Sequence, residues 1–142
     1  MEVSEVRRRV RAAIESARKS AQERRTRSDQ ASRDYETFLR DVAVPVFQVF
    51  ASALVAEGYR FKVFTPAESV RLTGESGADD YIEVTLDTSL DPPAVIGRSS
   101  RGRGRRTVAS ERPINEQRSI ADLTDEDVLT FLTNEIVPFV ER

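Results

Sequence analysis

The sequence of 142 residues contains no cysteine, no histidine and no tryptophan. Without cysteine there is no disulfide, no thiolate nucleophile and no thiolate zinc site, and without histidine there is no Ser-His-Asp triad and no imidazole for proton transfer. The commonest catalytic groups are therefore missing, so we expect a protein that is not an enzyme and that uses no cofactor. The lack of cysteine also fits a reducing compartment.

Long apolar runs are scarce as well. The longest run, 42–56, has 15 residues and contains Pro45 and Gln48, which is short of the roughly 20 residues that a bilayer requires. The start of the chain lacks the tripartite order of a signal peptide, because arginines dominate residues 7–11 and lead into a polar segment. The sequence therefore predicts a cytoplasmic protein with no membrane partner.

Residues 2–41 contain neither Gly nor Pro and are rich in Glu, Arg, Ala and Gln, a composition that favours helix. Between Gln22 and Asp34 the apolar pattern weakens, so the helix either bridges solvent there or breaks into a hairpin near Ser28. The absence of any turn signal favours continuity. An apolar stripe with alternating spacings of four and three residues, typical of a coiled-coil seam, includes Val10, Ile14, Ala17, Ala21, Ala31, Tyr35 and Phe38.

A helix of this length cannot bury its stripe against the small domain that follows, so we expect a second chain or partner to cover it. The seven stripe residues are thus our candidate oligomer interface, and a homo-oligomer is the expected assembly. We divide the chain into an extended, coiled-coil-like helical arm, residues 1–41, and an α+β domain, residues 42–142.

The period of the pattern changes after the apolar segment. Pro45 lacks an amide proton, so we expect the long helix to kink or restart near Val44, and Gly58 is placed to end it. From Tyr59 onward apolar and polar residues alternate with a period of two, which indicates strands. We expect an antiparallel meander of four strands, drawn from segments 59–65, 69–72, 81–88 and 94–98, with a hairpin tip at 102–104 and a return segment at 106–112.

A final helix is predicted after Thr124, because Asp127 follows three residues later as in a capping box. Its apolar face packs on one face of the sheet, which completes an α+β fold. The predicted core consists of Phe47, Phe50, Leu54, Phe61, Val63, Ile82, Val84, Leu86, Leu129, Leu132 and Ile136.

Two charged clusters suggest functional hypotheses. Five guanidinium groups within nine residues, around a glycine-bearing tip, suit phosphate groups or an acidic protein; the alternative is a solvated hairpin that guards a sheet edge. The second cluster is acidic, because only acidic charges occur between Arg71 and Arg98. Two or three carboxylates on one strand could bind Mg²⁺, but a half-exposed strand without a metal has the same pattern. The five basic residues are Arg98, Arg101, Arg103, Arg105 and Arg106.

These observations favour a non-enzymatic adaptor or chaperone-like protein-binding module that assembles through its helical arm. The alternative is a nucleic-acid-binding accessory protein that contacts phosphates through the Arg-rich hairpin. The basic start of the helix, with nine Lys or Arg against four acids over residues 1–27, is then a second surface for nucleic acid.

Overall fold

The computed structural model describes residues 1–75, 77 and 79–141. Its helices are α1 (Val3–Phe38), a π-helical stretch (Leu39–Ala43), α2 (Val44–Ala56), a short 3₁₀ helix (Ile120–Asp122) and α3 (Asp125–Val140). Its strands are β1 (Phe61–Phe64), β2 (Val70–Gly74), β3 (Tyr81–Asp87), β4 (Ala94–Arg103) and β5 (Arg106–Pro113). The chain is therefore an α+β protein with a long helix at the start, a sheet and a helix at the end.

The first helix is continuous, as its composition predicts. α1 has 36 residues, about 54 Å at 1.5 Å per residue, and no hairpin forms near Ser28. The π-helical stretch ends at Ala43, two residues before Pro45, which has no amide proton to donate to a carbonyl in the preceding turn. α2 then begins at Val44, with Pro45 in its first turn. The bend expected at this point stays a prediction.

Gly58 ends the long helix, as predicted. It has a φ of +91°, and its amide donates to the carbonyl of Val55 at 3.0 Å while the amide of Tyr59 donates to Leu54 at 2.8 Å. These two bonds form a Schellman motif, which requires a left-handed residue at the position that Gly58 occupies.

The sheet has five antiparallel strands in sequential order, so the predicted number of four is wrong. β4 extends to Arg103, beyond the segment that the sequence indicated, and pairs with β3 over residues 94–100 and with β5 over residues 96–103. The return segment of the hairpin is therefore a full strand. The turn consists of Gly104 and Arg105, with Gly104 at a φ of +65°, which is the arrangement of a type II′ hairpin turn.

One face of the sheet packs against the helices. Val70, Leu72, Ile82 and Val84 have no exposed surface and belong to the same apolar core as residues of all three helices. Gly97 of β4 lies beneath Phe131 of α3, at a position where any β-carbon would be 2.3 Å from two ring carbons. This close approach brings α3 directly onto the sheet.

The opposite face is polar. Register places Arg71, Glu83, Arg98 and Glu111 side by side across β2 to β5. Within this row of alternating charge, Arg71 pairs with Glu83 at 2.6 Å and Arg98 with Glu111 at 3.7 Å. The uncovered face is thus stabilised by cross-strand pairs of opposite sign.

Most of the predicted core lies in the apolar interior. Leu129 is the exception, because 41% of its surface is exposed, and it faces away from the sheet on α3. Several residues of α1, the strands and α3 are buried in addition to those predicted. The predicted residues that are buried or packed against the core are Phe47, Phe50, Leu54, Phe61, Val63, Ile82, Val84, Leu86, Leu132 and Ile136.

The predicted capping box of the last helix is confirmed. The hydroxyl of Thr124 accepts the amide of Asp127 at 3.2 Å, and a carboxylate oxygen of Asp127 accepts the amide of Thr124 at 2.9 Å. Burial would raise the pKa of Asp127, but its carboxylate accepts bonds from the Thr124 amide, the Asn115 side chain and the Thr124 hydroxyl, and these bonds with the charge of Arg118 outweigh burial and lower the pKa. The carboxylate therefore stabilises the start of α3.

Candidate partner-binding surfaces

The structure divides the predicted helical seam into two parts. Ala31, Tyr35 and Phe38 are buried within this single chain, so they are not free to contact a second one. The Tyr35 hydroxyl donates to the carbonyl oxygen of Glu68 at 2.5 Å, and burial raises the pKa of Tyr35. These three residues are therefore no longer candidates for the oligomer interface, because the sheet domain of their own chain covers them.

The N-terminal part of the seam is exposed. Val10 and Ile14 have 52% and 46% of their surface open to solvent, and Ala17 and Ala21 are not buried. The attached part of α1 begins near Arg27, whose guanidinium pairs with Asp91 at 2.9 Å. We call residues 3–21 the free arm. Of its four seam residues, Val10, Ile14 and Ala17 are exposed to a second chain, whereas Ala21 is partly buried beside the 88–93 loop of its own chain.

The free arm is basic around its apolar stripe. Val3 and Val6 extend the stripe toward the N-terminus and are exposed. Glu5 pairs with Arg8 at 2.6 Å and with Arg9 at 3.1 Å, but the arginines of this segment outnumber its acids. An apolar stripe between basic side chains suits an apolar surface with acidic borders.

The five arginines of the hairpin do not form one patch. Arg98 lies on the polar sheet face and pairs with Glu111. Arg101 lies on the opposite face and donates to the Pro138 carbonyl oxygen at 3.4 Å. Of these five arginines, the three at the tip have no hydrogen-bonding or ionic partner among the described residues, namely Arg103, Arg105 and Arg106.

The acidic segment forms no metal site among the described residues, where no three His, Cys, Asp or Glu side chains group together. Glu83 pairs with Arg71. Asp87 accepts bonds from the amide and hydroxyl of Ser89, which lower its pKa. The bond from Arg27 lowers the pKa of Asp91. These carboxylates serve local structure.

An apolar groove between α2 and α3 is a feature that the sequence analysis missed. It has a volume of about 430 Å³, and its lining includes Val46, Val49 and Leu129 with the acids Asp41, Asp125 and Glu126. We call it the α2/α3 groove. Val49 is 72% exposed. The sequence signal was present, because α2 is apolar on more sides than one sheet can cover.

The helical run Val3–Ala56 also contains an 18-residue window with a mean hydropathy of 1.6, of which 28% is buried. By length and composition alone such a window is apolar enough to cross a membrane, and the core helices of soluble proteins pass the same criterion. The low burial agrees with the exposed lining of the α2/α3 groove. Much of the apolar surface of this helix is thus available to a partner.

Comparisons with known proteins give no family for this chain. No protein-family model matches it, and neither a curated protein nor a solved structure does. We therefore infer the function from the surfaces described above.

Proposed function

We propose that this protein is a non-enzymatic, cytoplasmic adaptor or chaperone-like binding module that assembles with further copies of itself through its free arm and recognises a protein. The single observation that supports the proposal is the exposed stripe of the free arm. The free arm extends away from the α+β domain, and Val10 and Ile14 on it are exposed and lie outside the core. Exposed apolar stripes on long helices are typical of helix association.

The arm is the part of the chain best suited to association. A helix of this length without tertiary contacts is only marginally stable by itself in water. Its polar side offers only local support, such as the pairs of Glu5 with Arg8 and Arg9, which stabilise a helix by about 0.3 to 0.5 kcal/mol each when exposed. Burial of Val10 and Ile14 against another chain provides a larger stabilisation.

The test compares two full-length double variants by light scattering. Val10→Glu with Ile14→Glu places two charges on the stripe, and we expect it to reduce the mass from a multiple of 16.0 kDa to that of one chain. The control, Ala12→Glu with Ser16→Glu, adds the same charge two residues further along, on the opposite side of the helix. We expect the control to keep the wild-type mass.

Full-length variants are preferable to removal of residues 1–41, because that truncation deletes Tyr35 and Phe38 from the core. Far-UV circular dichroism establishes that each variant is folded. A wild-type protein that is monomeric at every concentration measured would refute assembly through the arm.

A second candidate function is nucleic-acid binding by the hairpin tip. Arg103, Arg105 and Arg106 have no partner within the described residues, and guanidinium groups on a glycine-bearing turn can contact phosphates. The hairpin turn itself contains Gly104. The nucleic-acid hypothesis predicts that the protein binds nucleic acid without sequence preference, because arginines at the tip would contact the phosphate backbone.

Fluorescence anisotropy with labelled duplex and single strands, over a range of salt concentrations, tests this second function. Arg103→Glu with Arg105→Glu should weaken binding and reduce the slope of log K against log salt by about 2. Arg33→Glu with Arg40→Glu changes the charge equally on the long helix and serves as the control. No binding of either strand form at low salt would end the nucleic-acid hypothesis.

A further inference from the structure

We propose that the α2/α3 groove of one copy binds the free arm of a second copy, in a reciprocal dimer. This inference rests on the proposed function, because it names the surface that the arm contacts. The groove presents exposed Val49 and Leu129 on neighbouring helices. Contiguous exposed apolar surface of this kind typically marks an interface.

The groove and the arm have opposite charge. Asp41, Asp125 and Glu126 line the groove, and α2 itself carries no charged residue from Val44 to Ala56. Asp41 is paired with Arg40, but within the described chain neither Asp125 nor Glu126 has a basic partner. The groove can therefore contact both the apolar stripe of an arginine-rich helix, through its apolar lining, and the arginines, through carboxylates that have no basic partner in their own chain.

The two elements also match in length. The stripe from Val3 to Ala17 extends over about 21 Å at 1.5 Å per residue, and α2, with its 13 residues, is about 20 Å long. The small side chains of Ala13 and Ala17 allow a second helix to approach closely. This is helix-in-groove recognition, in which residues at spacings of three and four fill an apolar groove.

The arm cannot reach the groove of its own chain. Helical structure is unbroken from Val3 to Ala56, so Val10 and Val49 are separated by roughly 60 Å measured along the helix. The occupant must come from another molecule. In a twofold dimer each copy supplies one arm and one groove, which closes the assembly at two chains.

A charge swap tests the contact. The groove variant carries Asp125→Lys and Glu126→Lys, and the arm variant carries Arg7→Glu and Arg11→Glu. By sedimentation equilibrium we expect each variant alone to associate at least roughly tenfold more weakly than wild type, because like charges face each other. An equimolar mixture of the two variants should recover association. In the mixed dimer, the native arm of the groove variant meets the native groove of the arm variant, and the acidic arm of the arm variant meets the basic groove of the groove variant.

The groove variant also places cations at the start of α3, where acids are favourable, so circular dichroism must show that it is folded. Val49→Glu provides an independent test, because Val49 is exposed and has no capping role. We expect it to weaken association by a similar factor. Its control is Gln48→Glu, an exposed neighbour that does not line the groove, and it should associate like wild type.

The outcomes separate this inference from the proposed function. If arm variants dissociate the protein while both groove variants associate normally, the arms pair with each other, and the inference fails while the proposed function stands. If the wild type never associates, both fail. Binding of the monomer to phosphatidylcholine vesicles that is lost in Val49→Glu, without self-association, would assign the groove to lipid and overturn the inference.

Discussion

Replacement of Gly97 by alanine tests the packing of α3 on the sheet. The new β-carbon would lie 2.3 Å from two ring carbons of Phe131 and 2.9 Å from Ile114. Ordinary contact begins at 3.4 Å, so the ring or the strand must move by roughly 1 Å within a close-packed interior. The ring is also confined by Arg112, whose guanidinium carbon lies over it at 5.7 Å.

Overpacking of this kind costs about 1 to 3 kcal/mol. We expect Gly97→Ala to lower the free energy of unfolding by about 2 kcal/mol, which shifts the midpoint of urea unfolding by roughly 1 M. The chain has no tryptophan, so circular dichroism at fixed protein concentration is the suitable probe. Gly102→Ala in the same strand is the control, because its β-carbon would meet nothing closer than 3.6 Å.

A double variant makes the test specific to the ring. Phe131→Leu removes the atoms that Gly97→Ala would contact, so the two changes together should destabilise the protein by less than the sum of their separate effects, with a coupling of about 0.5 to 3 kcal/mol. Strictly additive effects, or equal stability of Gly97→Ala and Gly102→Ala, would show that α3 does not approach the sheet as described.

Two further substitutions test the cap and the attachment of the long helix. Asp127→Asn should destabilise α3 by about 1 kcal/mol at neutral pH. Because the folded pKa of Asp127 is below 3.8, this difference in stability should be complete above pH 3.8 and should shrink as the pH falls through the folded pKa. A difference in urea unfolding that does not change with pH would contradict the role of the carboxylate in the cap. Tyr35→Phe keeps the ring but removes the hydroxyl that donates to Glu68. We expect the free energy of unfolding, measured by heat or urea, to fall by roughly 1 kcal/mol. Unchanged stability would show that this bond does not attach α1 to the domain.

The elements that local chemistry specifies could be predicted from the sequence. The lack of Gly and Pro specified the long helix, Gly58 ended it through a left-handed conformation, and Thr124 with Asp127 specified the start of α3. The number of strands could not be predicted in this way. β4 continues to Arg103 because β5 pairs with residues 96–103. Such pairing depends on the tertiary structure and not on the local sequence.

The candidate surfaces were predictable only in part. One periodic stripe includes both exposed Ile14 and buried Tyr35, and periodicity alone does not say which stretch the sheet covers. Arg98 and Arg101 lie close in sequence, yet the alternation of a strand places them on opposite faces of the sheet once β4 is known to include both.

The sequence by itself determined the helical arm, its basic charge, its apolar stripe and the alternating strands, because backbone geometry fixes these periods residue by residue. Only the tertiary structure decided that Phe38 belongs to the core, that Val49 and Leu129 stay exposed, and that Arg103 stands apart from Arg98. Those outcomes depend on which faces of α2, α3 and the sheet meet, and such contacts join residues far apart along the chain.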